Sequence, residues 1–137
     1  MIDQTDMEIL KLLLVNSRMQ WQEIGENVHL TGQAVKNRIN RLEKLGIIEV
    51  YTVRLNENKL GMEIMAFVTV FMKTTYHSSF QKYLRESVMV TEAHRISGDG
   101  CYILKTVASS QQELIGFLDS LLRYGNYRVN LSIGRIR

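Results

Sequence analysis

The sequence predicts an α+β protein in two parts. An N-terminal helix-turn-helix of winged-helix-like type is expected over residues 1–55, and a C-terminal ferredoxin-like β-α-β-β-α-β sandwich over 56–137. Three observations predict it. Apolar residues recur at helical spacing in three runs before residue 46, with a very short turn between the second and third. After residue 62, runs of β-branched and aromatic residues alternate with helical patterns in the order strand, helix, strand, strand, helix, strand. Between the parts lies a polar stretch, residues 54–61, that no proline stiffens.

Asp3-Gln4-Thr5-Asp6 reads as a capping box, and Met7, Ile9, Leu10, Leu13 and Leu14 continue from it as a first helix ending near Asn16-Ser17. Trp21, Ile24, Gly25 and Val28 mark a short second helix. Glycine has no propensity reason to stand inside it, so Gly25 points to the close approach of another helix. His29-Leu30 makes the turn and Thr31 is a good N-cap. Val35, Ile39 and Leu42 then form the apolar stripe of a third helix, which Gly46 stops.

Opposite that stripe, Gln33, Asn37, Asn40 and Lys44 share one face, with Lys36 and Arg41 on its flanks. Amides read base edges bidentately and long cations hold phosphates. Thr31, Gln33, Lys36, Asn37, Asn40, Arg41 and Lys44 are therefore candidate contacts to double-stranded DNA. A solvated face is the plain alternative for any basic amphipathic helix, and the preceding helix and tight turn favour DNA over it. Gln33, Lys36 and Asn37 lie near the helix start, where base edges are read; Arg41 and Lys44 suit phosphates. Arg38 sits at the edge of the stripe, where an ion pair within the fold competes with DNA contact. After Gly46, residues 47–53 are rich in β-branched side chains and are expected to form a strand, paired into a small wing. A domain boundary is expected near residues 56–59.

Residues 62–73 form the longest strand candidate, and it is apolar on both faces: Ile64, Ala66, Val68, Val70 and Met72 on one, Met65, Phe67 and Phe71 on the other. Phe80, Tyr83 and Leu84 suggest a helix over residues 79–86. Residues 90–97 alternate as a strand, Gly98-Asp99-Gly100 turns the chain, and residues 102–107 return as the hairpin partner. Ser110-Gln111-Gln112-Glu113 is a second capping box. It opens a helix with Leu114, Phe117, Leu118, Leu121 and Leu122 inward, and residues 127–133 make the last strand. With both helices on one side of the sheet, the other side is bare in a monomer, so at least a homodimer is expected.

The formal net charge is +3, which permits nucleic-acid binding without demanding it. Residues 1–55 hold seven cations (Lys11, Arg18, Lys36, Arg38, Arg41, Lys44, Arg54) against seven acids (Asp3, Asp6, Glu8, Glu23, Glu26, Glu43, Glu49), so only a local field can attract DNA. Arg123, Arg128, Arg135 and Arg137 read as a basic end without nearby acids. Cys101 is the one cysteine, which excludes an intrachain disulfide and suits a reducing compartment. With no signal-like start and no membrane-length apolar run, a cytoplasmic protein without membrane partners is expected. His29, His77 and His94 are scattered, and neither a metal-ligand spacing nor a nucleophile-base grouping can be assembled. Neither catalysis nor a cofactor is therefore expected.

The whole chain resembles the Lrp/AsnC, or feast/famine, family of transcription regulators. The matching segments are Asp3-Gln4-Thr5-Asp6 before Ile9-Leu10, Asn16-Ser17-Arg18, Glu23-Ile24-Gly25, Leu30-Thr31 leading to Val35, Arg38, Ile39, Leu42 and Gly46-Ile47-Ile48, Lys59-Leu60-Gly61, and Ile96-Ser97-Gly98-Asp99 with Tyr102. The resemblance implies sequence-specific DNA binding, dimers assembling into tetramers or octamers, and an amino-acid effector held in the second domain. It makes Ser97, Gly98, Asp99, Gly100, Cys101 and Tyr102 candidate effector contacts, with turn N–H groups to hold a carboxylate. The sequence departs from the family at three places. His29 stands where the turn commonly has glycine, Cys101 where the loop has a second acid, and Tyr127 and Val129 where the last strand has threonines. Two other readings are an amino-acid-binding oligomeric module without a DNA operator and a small ferredoxin-like enzyme. Neither needs a polar groove-facing helix.

Overall fold

Asp3 starts the first helix by accepting the Asp6 N–H at 2.8 Å while Asp6 accepts the Asp3 N–H in return, a complete capping box. The computed structural model describes residues 1–137, and they divide into two compact units, Met1–Arg54 and Leu55–Arg137.

The first unit holds α1 (Gln4–Val15), α2 (Trp21–Val28) and α3 (Gly32–Lys44). Ile9, Ile24, Val28, Val35 and Ile39 form its core, one or two from each helix, with Leu12, Leu13, Met19, Leu30 and Ile48 packed around them. The turn between α2 and α3 is set by two residues. His29 takes the left-handed conformation, φ 60°, which a side chain with a local polar group tolerates better than most. Gly25 is fixed by contact: a Cβ there would stand 2.3 Å from the Leu30 carbonyl oxygen. The neighbour that excludes a side chain is thus the backbone of the turn, not another helix. Thr31 caps α3 through its hydroxyl, which accepts the Ala34 N–H at 3.1 Å.

The strand and wing expected at residues 47–53 do not form. The Ile47 and Ile48 N–H groups bond back to the Leu42 carbonyl, and residues 49–56 run exposed without regular structure. High β propensity cannot make a strand alone, because its N–H and C=O groups need a ladder partner and the unit supplies none.

The second unit opens on a single 3₁₀ turn, Glu57–Leu60, capped by Asn56. It continues with β1 (Ile64–Met72), α4 (His77–Glu86), β2 (Val90–Arg95), β3 (Tyr102–Ala108), α5 (Gln111–Leu121) and β4 (Gly125–Leu131). The antiparallel sheet has the order β2-β3-β1-β4, which puts the doubly apolar β1 at the centre. Ala66, Val68 and Val70 meet Phe80, Leu84, Leu114, Phe117, Leu118 and Leu121 from the two helices, and this is the core. The alternate residues Met65, Phe67 and Phe71 face the uncovered side. This is the ferredoxin-like sandwich that the residue pattern predicts. No helix of the chain is long and apolar enough to cross a membrane.

Candidate nucleic-acid interface and effector loop

With Val35, Ile39 and Leu42 buried, the opposite face of α3 turns outward, and Gln33, Asn37, Asn40 and Lys44 are all exposed on it. Gln33 Nε2 donates to the side-chain oxygen Oδ1 of Asn37 at 3.1 Å, one helical turn away. The two amides are thereby held side by side, with polar atoms left for an outside partner. Lys36 is half-buried, its ammonium 5.2 Å from the centroid of the Trp21 ring. Lys36 and Lys44 have no carboxylate partner.

The two arginines of α3 are occupied. Arg38 donates to both oxygens of Asp3 at 2.8 Å and to Asp6 at 3.0 Å, the ion pair that its place at the stripe's edge suggested. Arg41, expected at phosphates, instead reaches Asp6 at 3.4 Å and the Met1 carbonyl. The cause is electrostatic: the Asp6 carboxylate is buried, and a buried carboxylate draws in the nearest cations. The Arg38 guanidinium, with the Asp6 N–H, holds the Asp3 carboxyl down to about 2. The same two acids push Arg38 up.

In the second unit Gly98 and Gly100 both have positive φ, 89° and 99°, and the loop between β2 and β3 folds over the open sheet face. A Cβ at Gly100 would come within 2.5 Å of the Thr69 methyl, so only glycine fits. The Cys101 N–H anchors the loop to the Val70 carbonyl at 2.8 Å, whereas the N–H groups of Gly98, Asp99 and Gly100 bond to nothing in the chain. Arg128 of β4, whose guanidinium lies 5.3 Å from the Phe71 ring centroid, donates to Asp99 at 3.0 Å. The basic end expected to lack acids therefore has one.

Ser97 and Asp99 are exposed and Cys101 is half-buried, while Tyr102 stands apart. Only 2% of Tyr102 is exposed, and its phenol lies 2.8 Å from His77 Nδ1 and accepts from Gln81 Nε2 at 3.1 Å. It faces α4, in step with Leu104 and Thr106, and is corrected from effector contact to core residue. His77 and Gln81 were not expected to meet it; the signal that could have placed it is the alternation Tyr102, Leu104, Thr106, which puts it on the same face as Leu104.

Two family models match the chain in series: the AsnC-type helix-turn-helix domain over residues 2–43 and the Lrp/AsnC ligand binding domain over residues 65–136. The chain belongs to the Lrp/AsnC family. Among Lrp/AsnC relatives, Bacillus subtilis LrpB, an HTH-type transcriptional regulator, is 46% identical over 136 residues, 99% of this chain and 91% of that protein. Bacillus subtilis LrpA is 35% identical over 98% of this chain and its own full length. The solved structure of Bacillus subtilis LrpC superposes with a TM-score of 0.94 at 28% identity, covering 100% of this chain and 98% of that one. A Neisseria meningitidis transcriptional regulator, in complex with L-Met, agrees in fold at a TM-score of 0.94 and 24% identity over 100% of this chain and 93% of that one. The chain is thus a helix-turn-helix transcriptional regulator of the Lrp/AsnC type with a ligand-binding domain, and the relatives named here carry the name of transcriptional regulators.

Proposed function

We propose that this regulator binds specific duplex DNA sequences as a dimer or larger homo-oligomer, with α3 in the major groove, and that an amino acid bound at the Gly98–Gly100 loop modulates it. The observation that carries the first part is the exposed row Gln33, Asn37, Asn40 and Lys44, standing on a helix whose other side is anchored by Val35, Ile39 and Leu42. In this reading Gln33, Asn37 and Asn40 address base edges, and Lys36, Lys44 and Thr31 address phosphates. Arg41 is removed from the set by its pairing with Asp6.

The effector part rests on charge. Asp99 and Arg128 form an exposed pair beside three unpartnered N–H groups. An α-amino acid carries the complementary charges, its ammonium for Asp99 and its carboxylate for Arg128 and the loop amides. The class of ligand is the one named in the neisserial complex.

The test is gel retardation of DNA from upstream of the regulator's own gene, beside a random duplex. Asn37→Ala is expected to weaken binding to the upstream DNA more than to the random one; equal losses contradict a base-reading role. Lys44→Ala is expected to weaken both and to lower the slope of log K against log salt by about one. For the effector, a thermal-shift panel of amino acids should show one that stabilises the wild type and not Asp99→Asn.

A further inference from the structure

Trp21, the one tryptophan of the chain, opens α2 as its first helical residue and is 45% exposed. Neither packing nor capping accounts for it. The core of the first unit does not include it, and the position before it, Gln20, makes no side-chain cap. Its distinctive contact is with Lys36, whose ammonium lies 5.2 Å from the ring centroid. Gly32 and Lys36 are four residues apart and so share one side of α3. That side lies against the first turn of α2, since a Cβ at Gly32 would stand 3.4 Å from the Gln22 nitrogen and 3.7 Å from the Trp21 carbonyl carbon. The lysine stem therefore runs toward the indole and the ring face receives the charge.

The other basic residues of α3 show what this arrangement changes. Arg38 and Arg41 are held by carboxylates, which fix them and cancel their charge. An aromatic face fixes a cation through its quadrupole and leaves the net charge whole, with N–H donors still free on the outer side. We propose that Trp21 is a positioning residue for DNA binding: it holds Lys36 so that an arriving phosphate meets a cation already in place. Without the ring, a four-bond side chain would lose its rotamer freedom at the moment of contact. This rests on the reading that the face of α3 meets DNA.

The experiment uses the full-length protein and a labelled random-sequence duplex, with affinity measured across a salt series for wild type, Trp21→Leu, Trp21→Phe, Lys36→Ala and the Trp21→Leu/Lys36→Ala double variant. Trp21→Leu is expected to bind roughly two- to five-fold more weakly, the scale of an exposed cation–π contact, and with a shallower salt slope. Trp21→Phe, which keeps a weaker ring, falls between it and wild type in both quantities, and serves alone should the leucine variant melt early. On the Lys36→Ala background the loss of Trp21 should cost nothing more. Additive losses, or weaker binding at an unchanged salt slope, overturn the proposal and leave the DNA reading standing. A wild type that binds no duplex overturns both.

Discussion

Asp6 carries a carboxylate whose side chain is only 1% exposed, yet it accepts from two arginines of another helix. Removing it would take from Arg41 its only carboxylate, leave Arg38 on Asp3 alone and break the capping box of α1. The arginines are partly exposed and can turn to water, so Asp6→Ala should destabilise the helical unit by about 3 kcal/mol, the low end for a broken buried pair. Its helical circular-dichroism transition measures this. Asp3 adds a pH dependence of definite sign. Its carboxyl is held at about 2 against an ordinary 3.8, so the stabilisation is complete above the ordinary value and is lost as pH falls through about 2. Asp3→Asn should flatten the acid limb of the stability curve in that window. The arginines were only half legible in the sequence. Arg38 lies at the edge of the apolar stripe, which announces a contact inside the fold. Arg41 lies among groove-facing residues in projection, and its destination shows only when the three-residue spacing of Asp3 and Asp6 is laid against the equal spacing of Arg38 and Arg41.

The turn between α2 and α3 is the element on which the placement of the outward face depends, and its two key residues respond in opposite directions to substitution. Gly25→Ala would drive a methyl against the Leu30 carbonyl, and overpacking of this kind costs about 1–3 kcal/mol. His29→Gly would relieve a left-handed side chain. It should raise stability by about 0.5–1 kcal/mol, because the relief exceeds the added freedom of the unfolded chain. Thermal unfolding of the two variants tests both signs. That Gly25 needed a near neighbour was readable from its place in a helix; which neighbour was not, since spacing along a chain does not say what folds back. The same limit explains residues 47–53, where composition announces a strand but only another strand can complete one. Helix periods, the Asp3–Asp6 capping box and the Gly98-Asp99-Gly100 turn are encoded locally and match the structure, whereas the second box forms only by half: Ser110 caps the Glu113 N–H, but the Glu113 carboxylate accepts from Ser109 instead of from Ser110.

At the scale of the molecule, the central strand sets a requirement that one sheet cannot meet. Phe67 is 39% exposed in the middle of β1, with Met65 and Phe71 on the same uncovered side. Covering such a face with a second copy is the economical solution for an antiparallel sheet with helices on one side only. Phe67→Glu should therefore shift the regulator to a smaller species in sedimentation, and retarded DNA complexes should weaken with it. The uncovered face was legible because β1 reads as apolar on both sides. The loop geometry around Asp99 was not, because Arg128 lies 29 positions away and meets it through strand order alone. Residues 49–56, exposed and free of regular structure, join two units that each enclose a separate core. Each unit carries its own packing, with Ile9, Ile24, Val35 and Ile39 in the first and Val68, Phe80 and Leu104 in the second. Substitutions on the outward face of α3 and substitutions around the Gly98–Gly100 loop thus fall in separately packed units, so selection can rework either surface without recasting the core beneath the other.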